Sequence, residues 1–236
     1  PPVSDPRVTE WTGPLATSLT VAAEQFAEAD VVFHLASAVS GECEADWQLG
    51  VDANLAPGIE LARVLAASPK RTVLVFASSV AVYGAPEGAP WPCVITDQVR
   101  PMPQNSYGSQ KLMLETLYAD LHRKGLLSAR SLRLMTVSVR PGAPNGAASG
   151  FLSAIVREPL MGRSIEIPVK DTLPVALNSP EGAVGGLLHA AGLSDAVWGE
   201  GSAVNLPGNT LTVAQMIDAL VAVGGASMRG YLVWSH

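Results

Sequence analysis

Apolar residues run almost unbroken through three stretches of the chain: "ADVVFHLAS" (Ala29 to Ser37), "RTVLVFASS" (Arg71 to Ser79) and "ARSLRLMTVSVR" (Ala129 to Arg140). Such runs suit strands covered on both faces, as in a parallel sheet. Between them, Ala45 to Ala67 and Ser106 to Lys124 space their apolar residues at three- and four-residue steps, the pattern of a helix with one buried face. Strand, helix, strand, helix, strand predicts right-handed crossovers and an α/β fold with an open, doubly wound parallel sheet. Ligands bind such sheets at the carboxyl ends of the strands. Ser37, Ser79 and Arg140 fall at those ends.

After Pro141 the pattern loosens. "SGFLSAIVREPLMG" predicts a helix ending near Pro159 and Gly162, and "PEGAVGGLLHAAGL" one begun by Pro180. "SAVNLPG" reads as a strand and turn, and "TVAQMIDALVAVGG" as a helix capped by Thr212. The division expected is residues 1–141 as a sheet domain and 142–236 as mostly a smaller substrate lobe, interleaved with the sheet. The glycines of "EGAVGGLL" fall inside a helix and suggest close helix packing.

Composition narrows the classes. With 236 residues, 48% hydrophobic, 15% charged and a formal charge of −6, disorder is excluded and the Lys/Arg surplus of a nucleic-acid binder is missing. No apolar run approaches the ~20 residues of a membrane helix, and "PPVSDPRVTEW" lacks the basic start and apolar middle of a signal peptide. Cys43 and Cys93 make no disulfide framework, and His34, His122, His189 and His236 have no ligand spacing, so no metal is expected. A reducing cytoplasm is the expected compartment.

Chemistry concentrates in "SSVAVYG" and "SYGSQK". Tyr107 and Lys111, four apart on a helix, share one face. A free phenol has a pKa of about 10; a nearby ammonium favours the phenolate and lowers it. Tyr107 could then exchange a proton with a substrate hydroxyl or carbonyl, with Ser79 holding the same oxygen. That suits carbonyl/alcohol redox chemistry opposite a hydride carrier.

In this context the chain resembles the extended short-chain dehydrogenase/reductases, the branch that contains nucleotide-sugar epimerases and dehydratases. "FHLAS", "SSVAVYG", "YGSQK" and a strand running into "RPG" occur in the family's order, from Val31 to Gly142. "SVRPGAPNGAAS" and "FLSAIVREPLMG" are most similar to that branch's D-erythronate dehydrogenase group, which oxidises a four-carbon sugar acid. The resemblance implies a Rossmann-like fold and NAD, with NADP not excluded. It implies Tyr107 as acid/base, Lys111 as the group that lowers its pKa and holds the nicotinamide ribose, Ser79 as catalytic, and Ser78 as a packing residue. Leu35, Ala36 and Ser37 match the segment along the cofactor, Pro141 and Gly142 the turn beside the nicotinamide. Asn54 matches a helix asparagine near that pocket, or is a solvated helix residue. Arg140, Asn145 and Ser149, with Ser40 and Gly41, are candidates to border the substrate. Relatives commonly dimerise through the helix carrying YxxxK.

Two departures qualify the resemblance. The family's opening strand and GxxGxxG loop are not found, so NAD binding rests on the family and the triad; "VTEWTGPLATS" roughly takes the place of the next strand. Pro57 in "NLAPGIELA" stands where relatives have Gly, and a kink there would aim Asn54 inward. Beside the sugar-acid dehydrogenase stand a nucleotide-sugar epimerase and a catalytically silent NAD-binding or interaction protein.

Overall fold

The computed structural model describes residues 5–85, 88–90, 92, 94–139, 149–201 and 203–235. The chain opens with two short helices, α1 (Leu15–Val21) and α2 (Ala23–Glu28), before β1 (Val31–His34). Then come α3 (Ser40–Ala45), α4 (Trp47–Gly50), α5 (Ala56–Ala67), β2 (Val73–Ser79), the long α6 (Ser106–Arg123), β3 (Ser128–Leu134) and β4 (Thr136–Val137). The remainder comprises α7 (Gly150–Leu160), β5 (Ile165–Ile167), β6 (Pro174–Asn178), α8 (Pro180–Gly192), α9 (Asp195–Trp198), β7 (Val204–Asn205), β8 (Asn209–Thr212), α10 (Val213–Gly224) and β9 (Leu232–Trp234).

The main sheet runs β1-β2-β3-β7, every pair parallel. Its central strand shows why the apolar runs are unbroken. Leu74 and Phe76 turn to one face and pack with Leu61 and Leu65 of α5 and Leu114 and Tyr118 of α6. Val75 turns to the other and packs with Leu132 and with Ala183 and Leu187 of α8. A strand covered on both faces cannot alternate apolar with polar. The α/β doubly wound architecture expected from the strand–helix alternation is the one observed.

Three local expectations are corrected. "ARSLRLMTVSVR" is not one strand: β3 stops at Leu134, and β4 leaves for a second sheet, β4-β6-β8, where it pairs with β6. An apolar run carries no mark of which sheet it joins, so the break at Met135 was invisible. "VTEWTGPLATS" forms no strand; Pro14, in an extended conformation, is the N-cap of α1 instead. The segment Ala45 to Ala67 is helical in three pieces, with a π-helical turn over Val51–Leu55 between α4 and α5. There the Ala56 N–H reaches back five residues to the Val51 carbonyl. The wider turn lets Pro57 sit at the second position of α5 with no ladder bond to supply.

The later half returns to the sheet. β7 completes it beside β3, and α8 covers β2 and β3. A separate core of Leu152, Ile155, Ile167, Leu177, Val213, Met216 and Ile217 joins α7, α10 and the small sheets. Thr212 caps α10 in a reciprocal box with Gln215, as its position suggested.

The glycines of α8 differ in what surrounds them. A Cβ on Gly186 would overlap Leu206, and one on Gly182 would overlap the Asn178 side chain, whereas one on Gly185 meets nothing. We expect Gly186→Ala to lower stability by about 1–3 kcal/mol, since α8 or Leu206 must shift. Gly185→Ala should raise it by up to about 1 kcal/mol through lost unfolded-state entropy. Chemical denaturation of both variants checks this; equal effects would contradict the packing argument.

Candidate active site

A cavity of about 440 Å³ opens at the carboxyl ends of β1, β2 and β3. Leu35, Ser37, Ser40, Ser79, Tyr107, Lys111 and Ser149 line it, residues drawn from segments up to 114 positions apart. Ala36, Gly41 and Asn54 are not among the lining residues. Arg140, Pro141, Gly142 and Asn145 lie outside the described residues.

Helix α6 delivers the central pair. Asn105 caps it by accepting from the Gly108 N–H at 2.8 Å. Gly108 then allows a close approach, since a Cβ there would overlap the Ala81 carbonyl in the turn after Ser79. Any larger residue would push Tyr107 away from β2. The hydroxyls of Ser79 and Ser37 neighbour the Tyr107 phenol and favour its ionised form.

Lys111 is 3% exposed. Its ammonium donates to the Ala77 carbonyl at 2.9 Å and lies 4.8 Å from the Phe76 ring centre and 5.4 Å from that of Tyr107. Burial pulls its pKa down to about 8, against the opposing pull of Cys43 and Glu115. Tyr107 departs from expectation: burial pushes its phenol above the usual value, and the neighbouring hydroxyls of Ser79 and Ser37 only partly counter this. Spacing puts an ammonium near a phenol, but the desolvation felt by both groups depends on what covers them.

Asn54 is buried at 2% exposure. Its Oδ1 accepts from the Ala38 N–H at 2.7 Å and the Ser37 hydroxyl at 3.0 Å. Its Nδ2 donates to Gln110 Oε1 at 2.9 Å. It is not a solvated residue. It ties the loop after β1 to α6 and orients Ser37 rather than facing the cavity itself. Ser78 is buried, donates to Glu115 at 2.5 Å and also borders the cavity. His34 is a buried strand residue whose Nδ1 lies 2.9 Å from the Tyr118 hydroxyl, its pKa drawn down to about 4 by burial.

Sequence reasoning passed over Met135, Thr136 and Val137, which also line the cavity. They had been read as the interior of one strand; only the break between β3 and β4 turns them to the site. Among the described residues, no three His, Cys, Asp or Glu side chains converge as a metal group would require.

The donor set suits a dinucleotide. An ammonium carries three N–H donors; Ala77 takes one, and Lys111 lines the cavity. Ser37 and Tyr107 add hydroxyls beside it.

A serine, a tyrosine and a lysine thus gather in one cleft at the carboxyl edge of an α/β sheet, and comparison with known proteins makes the chain an NAD-dependent oxidoreductase. Residues 14–173 match the NAD dependent epimerase/dehydratase family, and the chain belongs to it. It is 41% identical to D-erythronate dehydrogenase of Cupriavidus necator over 99% of its own length and 71% of that relative's. It is 36% identical to D-erythronate dehydrogenase of Haemophilus influenzae, covering 87% of this chain and 64% of that relative. The nucleoside-diphosphate-sugar epimerase from Agrobacterium tumefaciens superposes with a TM-score of 0.88 at 34% identity, over 99% of this chain and 70% of that one. MoeE5 in complex with UDP-glucose and NAD superposes at 0.74 with 25% identity, over 96% and 71%. The family and the Rossmann-like fold expected from the motifs are those found.

The Lys111 shift makes stability depend on pH. Its folded pKa lies below the ordinary 10.5, so the unfolded chain holds the proton more tightly. Folding therefore gains stability as pH rises from about 8 towards 10.5. Relative to Lys111→Met, the wild-type protein should gain about 2 kcal/mol between about pH 7.5 and 9.5. Urea titrations of both proteins at the two pH values test this, and a pH-independent difference would refute it.

Proposed function

We propose that this protein oxidises a secondary hydroxyl of a small sugar acid such as D-erythronate, with NAD as the acceptor. The observation that carries this reading is the 41% identity to a D-erythronate dehydrogenase along 99% of the chain, joined to the single cavity shared by Ser79, Tyr107 and Lys111. When bound, NAD supplies a hydride acceptor. Tyr107 takes the hydroxyl proton, Ser79 holds the same oxygen, and the Lys111 ammonium favours the phenolate and presents donors to ribose hydroxyls. Ser40, Ser149 and Thr136 line the cavity and would contact the acid, with Arg140 and Asn145 as further candidates for its carboxylate. Pro141 and Gly142 would border the nicotinamide.

The test is an absorbance assay for reduced nicotinamide with NAD or NADP and a panel of four-carbon sugar acids. D-erythronate should give signal, and Tyr107→Phe should abolish it while NAD binding is nearly retained. Full turnover in Tyr107→Phe would remove the mechanism. The Agrobacterium epimerase similarity supports a second reading: NAD binding with no net reduction by any acid would favour a nucleotide-sugar epimerase.

The expected homodimer also belongs here. Trp47, Leu49 and Met113 are exposed apolar residues on α4 and α6, and a groove lined by Trp47, Val51, Leu55 and Met113 runs between these helices. Sedimentation should show a dimer that Met113→Glu dissociates; a monomeric wild-type protein would contradict the arrangement. No helix among the described residues is long and apolar enough to cross a membrane, and a cytoplasmic setting fits the free thiol of Cys43.

A further inference from the structure

Beneath the cavity lies a second charged group that the proposed reaction does not use. Glu115 and Arg133 are 5% and 6% exposed. Arg133 grips the carboxylate in a fork, Nη2 to Oε2 at 2.7 Å and Nε to Oε1 at 3.0 Å. The Ser78 hydroxyl donates to the same Oε1. The other guanidinium nitrogen donates to the Tyr83 hydroxyl at 2.7 Å, which in turn donates to Asn205 Oδ1 on β7.

A buried ion pair is a poor device for stability alone, because desolvation offsets most of the attraction. Its placement is more informative. Glu115 stands one helical turn beyond Lys111 and two beyond Tyr107 on α6. Ser78 precedes Ser79, and Ser78 and Arg133 are register partners across β2 and β3. One carboxylate thus joins the helix carrying Tyr107 and Lys111 to the strand end carrying Ser79. It is also one of the two groups that favour the Lys111 ammonium, the other being Cys43 on α3.

We propose that Glu115, held by Arg133, is a positioning residue of the active site: it sets the Ser79 strand end against α6 and supplies the countercharge for Lys111. The proposal rests on the reading of Tyr107 and Lys111 given above. The charged or titratable groups around it are Lys111 and Tyr107 on α6, Arg133 on β3, Cys43 on α3, His34 on β1 and Tyr83 after β2. Removing the carboxylate leaves two cations, Lys111 and Arg133, where the native site has two cations and one anion. Both Tyr107 and Lys111 then lose their protons more readily.

The experiment measures kcat for D-erythronate oxidation from about pH 6 to 10 in wild type, Glu115→Gln, Glu115→Gln/Arg133→Gln, Glu115→Asp and Tyr107→Phe, with circular dichroism to confirm folding. In Glu115→Gln the whole profile should move to lower pH by about half a unit or more. The double variant, which restores the net charge, should bring it back. Glu115→Asp keeps the charge but cannot reach Ser78, so its profile should stay in place while kcat falls about tenfold or more; this variant carries the test if Glu115→Gln does not fold. An unmoved profile in folded Glu115→Gln, or an unchanged kcat in Glu115→Asp, would overturn the proposal while Tyr107→Phe stays inactive. Turnover in Tyr107→Phe would overturn the underlying reading and this proposal with it.

Discussion

The packing of α6 against the carboxyl ends of β2 and β3 is the constraint on which the site depends. Its inner face carries Tyr107, Lys111, Glu115, Tyr118 and His122 in steps of three and four residues, so a single docking angle places all of them. Leu114 on the same side of the helix and the ring of Tyr118 bury against Phe76 and Leu74 and supply the driving force. The polar members are then carried below the surface whether or not burial favours them. Each has a specific partner there: Lys111 the Ala77 carbonyl, Glu115 the Arg133 fork, Tyr118 the Gly58 carbonyl and His122 the Gly199 carbonyl and the Ala129 N–H.

This arrangement couples fold stability to chemistry. The Lys111 ammonium is held where burial disfavours it, and the main sheet and its helices offset the cost. A charge that is poorly solvated interacts more strongly with whatever enters the cavity than the same charge in water would. The phenol of Tyr107 shares that environment, so the two groups are best understood as one unit with the hydroxyls of Ser79 and Ser37.

The polar residues behind the cavity form two separate braces. Asn54 and Gln110 fasten the loop after β1 to the outer side of α6. Glu115, Arg133 and Ser78 fasten β2 and β3 to its inner side. Between them Ser79, Tyr107 and Lys111 are held by elements that have no reason of their own to stay in register at the ångström scale. The Glu115–Arg133 brace saturates its polar atoms, whereas the Gln110 Nε2 of the other is buried without a partner.

Much of this was readable in advance for a definite reason. Continuous apolar runs and three-to-four spacing are local properties, so the strands around Phe33, Val75 and Leu132 and the long helix from Ser106 could be drawn from the sequence, as could the capping by Thr212 and the helix start at Pro180. That Ser79, Tyr107 and Lys111 share one cavity was legible from the spacing and order of their motifs. What the tertiary structure alone decided depends on distant partners. Thr136 and Met135 joined the cavity because β4 leaves for another sheet, and the inward turn of Asn54, for which the sequence offered a kink at Pro57, comes with a π-helical turn that no residue pattern announces. Burial, not spacing, determined that Tyr107 lies above its usual pKa and Lys111 below. Desolvation is a property of everything packed around a group, and a linear sequence states only its neighbours along the chain.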